Sequence, residues 1–285
     1  MCTARIVASA TKGLSPEISR RSALRWGAMT LGAVALGRGA AAAPVMRPAV
    51  RSLEMNHLMD LTHTLTDRFP IFPAPLNTPF GRRPIATITE DGWHSNRWDM
   101  IEHCGTHIDA PAHMVEGGDT LEEMPLPSMI CPAAVIDISE RAARDPDTML
   151  TVDDILTWET RHGRIPQGAA VMMHSGYDRH VETPGIFLGT DMVGGLHFPG
   201  FSEEASIYLA EECDIAFAGV DTLSLDRGRS TDFEAHHALL GAGVWGIECL
   251  KNLRHIPPSG ATVFIGVPKV EGGSGGPCRV IASWE

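Results

Sequence analysis

The stretch that most restricts how this chain can fold is Glu102-His103-Cys104-Gly105-Thr106-His107-Ile108-Asp109-Ala110-Pro111-Ala112-His113. His103, His107, Asp109 and His113 bring four ligand or base groups into eleven residues. The four-residue step from His103 to His107 would share one face of a helix. Gly105, the β-branched Thr106 and Ile108, and Pro111 all oppose a helix there. On an extended strand, His107 and Asp109 project to the same side by the period of two. Gly105 then lets the chain bend so that His103 joins them. Two imidazoles and a carboxylate leave coordination positions open, which is what a catalytic metal site requires. His113, beyond the turn at Pro111, is left free to act as a base. On composition alone, the other reading is a set of scattered polar residues beside a turn.

The flanking sequence reads as α/β. Residues 133–138, 169–174, 214–220 and 261–267 are apolar runs rich in β-branched residues and bounded by turn formers, and they are predicted strands. Thr151-Val152-Asp153-Asp154 opens a predicted helix that runs to about His162 and closes at Gly163. Ser202-Glu203-Glu204-Ala205 opens a second to about Glu212, and Asp232 to Ala242 is a third. Strand and helix alternate through the C-terminal half, which points to an α/β domain. No linker or repeat divides residues 43–285, so one domain is expected there. Residues 63–84 carry Pro70, Pro73, Pro75, Pro79 and Pro84 and are expected to be extended and irregular.

Residues 1–42 read as an address. Ser19-Arg20-Arg21-Ser22-Ala23-Leu24 carries paired arginines, an apolar run follows from Trp26 to Gly37, and Ala40-Ala41-Ala42-Ala43-Pro44 supplies a small-residue exit. That order is a secretory signal of the twin-arginine (Tat) type, cleaved near Ala42, and it implies a periplasmic or otherwise exported protein. The apolar run is too short to span a bilayer, which needs roughly 20 residues, so no membrane segment is expected after its removal. The full chain has a formal net charge of −12; without residues 1–42 it is −17, with 17 basic and 34 acidic residues. Such a surface repels phosphate backbones, which argues against nucleic acid as a partner. Cys104, Cys131, Cys213, Cys249 and Cys278 remain, odd in number and scattered, and read as buried thiols.

His103-x-Gly105-Thr106-His107-x-Asp109-x-Pro111-x-His113 resembles the signature of the cyclase family of metal-dependent hydrolases, which includes bacterial kynurenine formamidases and isatin hydrolases. Asp60-Leu61-Thr62-His63 and Phe69-Pro70-Ile71-Phe72-Pro73 resemble the family's opening strand and Pro-aromatic-Pro loop. Pro199-Gly200-Phe201-Ser202, Gly219-Val220-Asp221-Thr222, residues 246–253 and Glu271–Pro277 resemble further family segments, so the likeness covers about residues 58–283. It implies a swivelling β/β/α-type single-domain fold. It also implies a metal set of His103, His107 and Asp109, with Asp109 bridging to a second ion in two-metal members. His236 and Glu248, twelve residues apart, match the remaining ligands. His237, the neighbour of His236, is expected to pack or to lie behind the ligands. His113 matches the general acid/base, and Phe72 stands where a substrate-facing aromatic is expected. The family's Asn after the glutamate is Cys249 here. Glu102 reads as a solvated carboxylate, with support of the neighbouring His103 as the alternative, and His63, His94, His174 and His197 fall outside the matched ligand positions.

The resemblance implies hydrolysis of a small amide, cyclic or N-acyl, with one or two divalent ions, zinc or manganese, and a homodimer or homotetramer. Kynurenine formamidase works in cytosolic tryptophan breakdown, so the export signal weighs against N-formylkynurenine. Lactone hydrolysis, a lyase or dehydratase on the same site, and a non-catalytic exported metal or solute binder are the alternatives.

Overall fold

The strands are laid down in an order that folds one sheet around an apolar core. We describe residues 55–285 in a computed structural model; the expected export signal lies outside these residues. The strands are β1 (His57–Asp60), β2 (Gly81–Ala86), β3 (Ser95–Asp99), β4 (His107–Asp109), β5 (Ile130–Asp137), β6 (Met149–Leu150), β7 (Ala170–His174), β8 (Gly200–Phe201), β9 (Phe217–Val220), β10 (Trp245–Glu248), β11 (Thr262–Gly266), β12 (Gly275–Pro277) and β13 (Arg279–Trp284). Nine of them form a sheet in the order β1-β13-β11-β5-β7-β9-β10-β4-β12. Its centre, β5-β7-β9-β10, is parallel, and the pairings on both sides are antiparallel.

Parallel neighbours need crossovers, and three helices provide them: α1 (Val152–His162), α2 (Glu203–Glu211) and α3 (Glu234–Gly241). Thr151 caps α1 in a capping box with Asp154, and Ser202 caps α2 through the Ala205 N–H, as their sequences predict. The predicted strands and helices of the C-terminal half are thus present, each shifted by at most a few residues.

Alternation along the central strands fills two cores. Ala134, Ile136, Val171, Met173, Ala218 and Val220 pack beneath the helices against Ile155, Trp158, Leu209 and Leu239. Ala133, Val135, Met172, Phe217 and Ile247 face the other way. They meet Ile108 from one flank of the sheet and Val263, Ile265 and Val280 from the other. Strands far apart in sheet order share that cluster, so the sheet curls. Each fully buried large apolar side chain contributes about 1.5–3 kcal/mol.

All five described cysteines are buried and free, as expected. Residues 63–80 are irregular and follow a bridge from Thr62 to Leu250. The irregular stretch ends earlier than its prolines suggest, because Gly81–Pro84 joins β2. Proline is tolerated in a two-stranded ribbon, and a bulge between Pro84 and Ala86 accommodates it. Among the described residues, no helix is long and apolar enough to cross a membrane.

Candidate active site

β4 is only three residues long, and its alternation builds the site. Ile108 enters the curled core, so His107 and Asp109 face the opposite side. Antiparallel pairing with β10 sets Glu248 directly across from His107. On the other side β12 sets Gly275 across from Asp109. Gly105 has φ +72°, a left-handed conformation that turns the chain and returns His103 to Asp109. His103 Nδ1 lies 2.7 Å from Asp109 Oδ1. A Cβ on Gly275 would stand 2.4 Å from His103 Cε1, so only glycine leaves room for that ring. The last member, His236, comes from α3.

The distances tie the groups into one cluster. His107 Nε2 is 3.3 Å from both Asp109 Oδ1 and Glu248 Oε2. His236 Nε2 is 3.1 Å from Glu248 Oε1 and 3.7 Å from Asp109 Oδ2. Two donor sets result, His103–His107–Asp109 and Asp109–His236–Glu248, with Asp109 common to both. His113 sits in a 3-10 turn at Pro111–His113. Its ring lies 3.9 Å from that of His103, tilted by 32°, and 6.0 Å from that of His236.

The cluster fits a divalent cation. His107 Nδ1 is held 2.9 Å from the Gly105 carbonyl, so that nitrogen carries the proton and Nε2 presents its lone pair. His107 Nε2 and Asp109 Oδ2 are buried without a hydrogen-bond partner. Asp109, Asp226 and Glu248 are buried carboxylates, and among the described residues none pairs with Lys or Arg. Buried charge of one sign needs compensation. With protons alone, burial disfavours charge on His107, yet Asp109 and Glu248 override it and raise this imidazole to about 10. Burial likewise opposes ionisation of Asp109, but His107 and its other imidazole contacts hold it well below the usual carboxylate range. His113, by contrast, is lowered to about 4 by burial, with His103 and His236 adding to the effect.

The supporting groups are less legible in sequence. Asp226 accepts the Ala235 N–H at 2.7 Å and lies 2.5 Å from His236 Nδ1, which aims Nε2 at Asp109 and Glu248. Glu248 Oε1 also accepts the Leu225 N–H at 3.0 Å. Glu102 is not merely solvated: it accepts from Ser274 Oγ at 2.6 Å, and that oxygen is 3.2 Å from His103 Nε2. Ser274 is 171 residues away, so no local pattern announces the contact. His237 is exposed, pointing away from the cluster as a helical neighbour must, and it does not pack behind the ligands. His63, His94, His174 and His197 belong to neither donor set.

Phe72 reaches the site indirectly. Its ring is 6.1 Å from that of Phe233, which is 5.9 Å from that of His236. Phe233, not anticipated from sequence, has φ +53° at the start of α3, a left-handed conformation that is rare for a bulky residue. Cys249 has φ +55° and packs in an apolar cluster with Phe69, Tyr177 and Phe198, leaving Glu248 untouched.

The Cyclase family's sequence model matches residues 59–227. The chain belongs to this family. The matched region holds His103, His107, Asp109 and His113 and ends before His236 and Glu248. An isatin hydrolase of Roseibium aggregatum is 32% identical over 240 aligned residues, spanning 79% of this chain and 90% of that protein. A kynurenine formamidase of Salinibacter ruber is 30% identical over 226, spanning 79% and 96%. The solved structure of isatin hydrolase A from Ralstonia solanacearum shares this family fold, with a TM-score of 0.76 at 36% identity over 80% of this chain and 92% of that one.

Proposed function

We propose that this protein is an exported metal-dependent hydrolase that opens small amides, with an isatin-type cyclic amide ahead of an N-formyl amide. The observation that carries this is the shared carboxylate Asp109, buried among imidazoles with Glu248 and, among the described residues, paired with no Lys or Arg. His103, His107 and Asp109 would hold one ion, and Asp109, His236 and Glu248 a second; mixed nitrogen and oxygen donors suit zinc or manganese. A divalent ion there supplies Lewis-acid polarisation of a carbonyl and makes water more acidic.

The protein's own groups complete the reaction. His113 takes a proton from the attacking water and delivers it to the leaving nitrogen. Without that delivery an amide nitrogen is too basic to leave. One C–O bond forms, the C–N bond breaks, and one water is consumed. A cyclic amide gives a single ring-opened acid; an N-acyl amide gives an acid and an amine. Phe72 and Phe233 offer flat apolar surface beside His236 for a ring-bearing substrate. The cyclic preference is supported by the isatin hydrolases among the relatives and by the reading of residues 1–42 as an export signal. A homodimer or homotetramer is expected.

The test is His113→Ala assayed on isatin and N-formylkynurenine, with metal content measured in the same samples. The variant should keep its metal and lose turnover by about 10²–10⁴-fold. In ¹⁸O-labelled water the wild-type product acid should carry label. Unimpaired turnover in the variant would reject the role of His113, and unlabelled product would reject hydrolysis.

A further inference from the structure

Each imidazole of the two donor sets has one nitrogen turned away from the carboxylates of the cluster, and each of those nitrogens meets a different acceptor. In His107 it is Nδ1, held by the Gly105 carbonyl, and in His236 it is Nδ1, held by Asp226. His103 is reversed. Its Nδ1 faces Asp109 Oδ1 at 2.7 Å, and its outer nitrogen is Nε2, 3.2 Å from Ser274 Oγ.

Counting hydrogens fixes the direction of that contact. A serine hydroxyl has one hydrogen to give. Ser274 gives it to Glu102 Oε2 at 2.6 Å, the length of a charge-assisted bond to a carboxylate. Toward His103 the Ser274 oxygen can therefore only accept. His103 Nε2 then carries the proton, and Nδ1 presents its lone pair beside Asp109. The hydroxyl is placed without help from Glu102. The Ser274 carbonyl accepts the Ala110 N–H at 2.9 Å, and the Gly273 carbonyl accepts the Leu121 N–H at 2.9 Å. The glycine-rich segment is thus anchored through its backbone, and the Glu102–Ser274 side-chain bond is left to act on the ring. Gly275, the next residue, leaves the space that the ring occupies.

We infer that Glu102, acting through the Ser274 hydroxyl, is a positioning residue that fixes His103 as a ligand through Nδ1 and sets the affinity of the His103–His107–Asp109 set. The inference rests on the metal-dependent reading of the site. A held outer N–H fixes the tautomer and the orientation of a ligating imidazole. The Asp109–His236–Glu248 set has its own orienting carboxylate in Asp226, so separate acidic residues tune the two sets.

Two measurements test this. In ¹⁵N spectra of histidine-labelled, zinc-loaded wild type, the His103 ring, assigned by its loss in His103→Gln, should be protonated at Nε2 and bound through Nδ1. The His107 and His236 rings should show the opposite tautomer. Zinc binding to metal-stripped protein is then followed by calorimetry. Ser274→Ala should weaken one ion about 10–100-fold and leave any second ion unchanged. Glu102→Gln, which keeps an acceptor oxygen without the charge, should fall between Ser274→Ala and the wild type. Ser274→Thr, which restores the hydroxyl, should recover most of the affinity. Metal-free melting temperatures should match the wild type; a lowered one in Ser274→Ala would make the contact a structural staple and overturn the inference. Zinc bound through His103 Nε2, or unchanged affinity in Ser274→Ala, would overturn it while leaving the metal site standing. A wild-type His103 spectrum indifferent to zinc would overturn the metal reading as well.

Discussion

His63 shows how one side chain couples the opening segment to acid stability. Its backbone N–H donates to Thr106 Oγ1 at 3.0 Å, and Thr106 Oγ1 donates to the Cys249 carbonyl at 2.6 Å. Its ring sits edge-on to Phe69. Burial, with the positive charge of Lys251 second, lowers this imidazole from 6.5 to about 4. A depressed His pKa means the folded protein resists the proton that the unfolded chain accepts. The stability this neutral His provides is complete above pH 6.5 and is lost as pH falls toward 4. At pH 5 the loss is about 2 kcal/mol. His63→Gln should therefore lose less stability than the wild type between pH 7 and pH 5, as measured by urea unfolding at each pH. Equal losses would show that His63 does not govern the acid limb.

At the scale of elements, α3 earns its place through a single carboxylate that does two jobs. Asp226 accepts the Ala235 and His236 N–H groups at the start of the helix and holds the His236 ring. Losing a cap of this kind costs about 1–2 kcal/mol. Losing the partner of a ligating imidazole weakens metal binding about 10–100-fold. Asp226→Ala should therefore melt several degrees lower and bind zinc more weakly by that factor, measured by calorimetry on metal-stripped protein. Unchanged zinc affinity would leave Asp226 with only a capping role. The three-residue strand β4 is the counterpart element. It is too short to be predicted by periodicity, but Ile108 is held by the core on one face, which forces His107 and Asp109 onto the other.

At the scale of the whole molecule, the curled sheet brings together groups that are distant in sequence, while the proposed site of action rests on the export signal read in residues 1–42. If Arg20 and Arg21 mark an export signal, the protein recovered from the cell envelope should begin near Ala43, and its net charge should be −17 rather than −12. N-terminal sequencing of that fraction checks this. Recovery of the protein only from the intracellular fraction, with Met1 intact, would reject export and remove the argument against N-formylkynurenine.

What could be learned from sequence alone is what local chemistry dictates. Gly105, the β-branched neighbours and Pro111 oppose a helix, so a bend was the way in which His103, His107 and Asp109 could meet. Caps at Thr151 and Ser202 and apolar alternation at 133–138 and 169–174 mark their elements because those signals act within a few residues. The twelve-residue spacing of His236 and Glu248 became informative through family resemblance. Tertiary structure alone decided the rest. Ser274 reaches His103 and Glu102, Gly275 clears space for the His103 ring, and Asp226 aims His236 because strand register and sheet curl bring them there. Phe233 becomes the link from Phe72 to His236 only through a left-handed backbone that no propensity favours. Contacts across long sequence separations depend on how the whole core packs, and a local pattern carries no record of that.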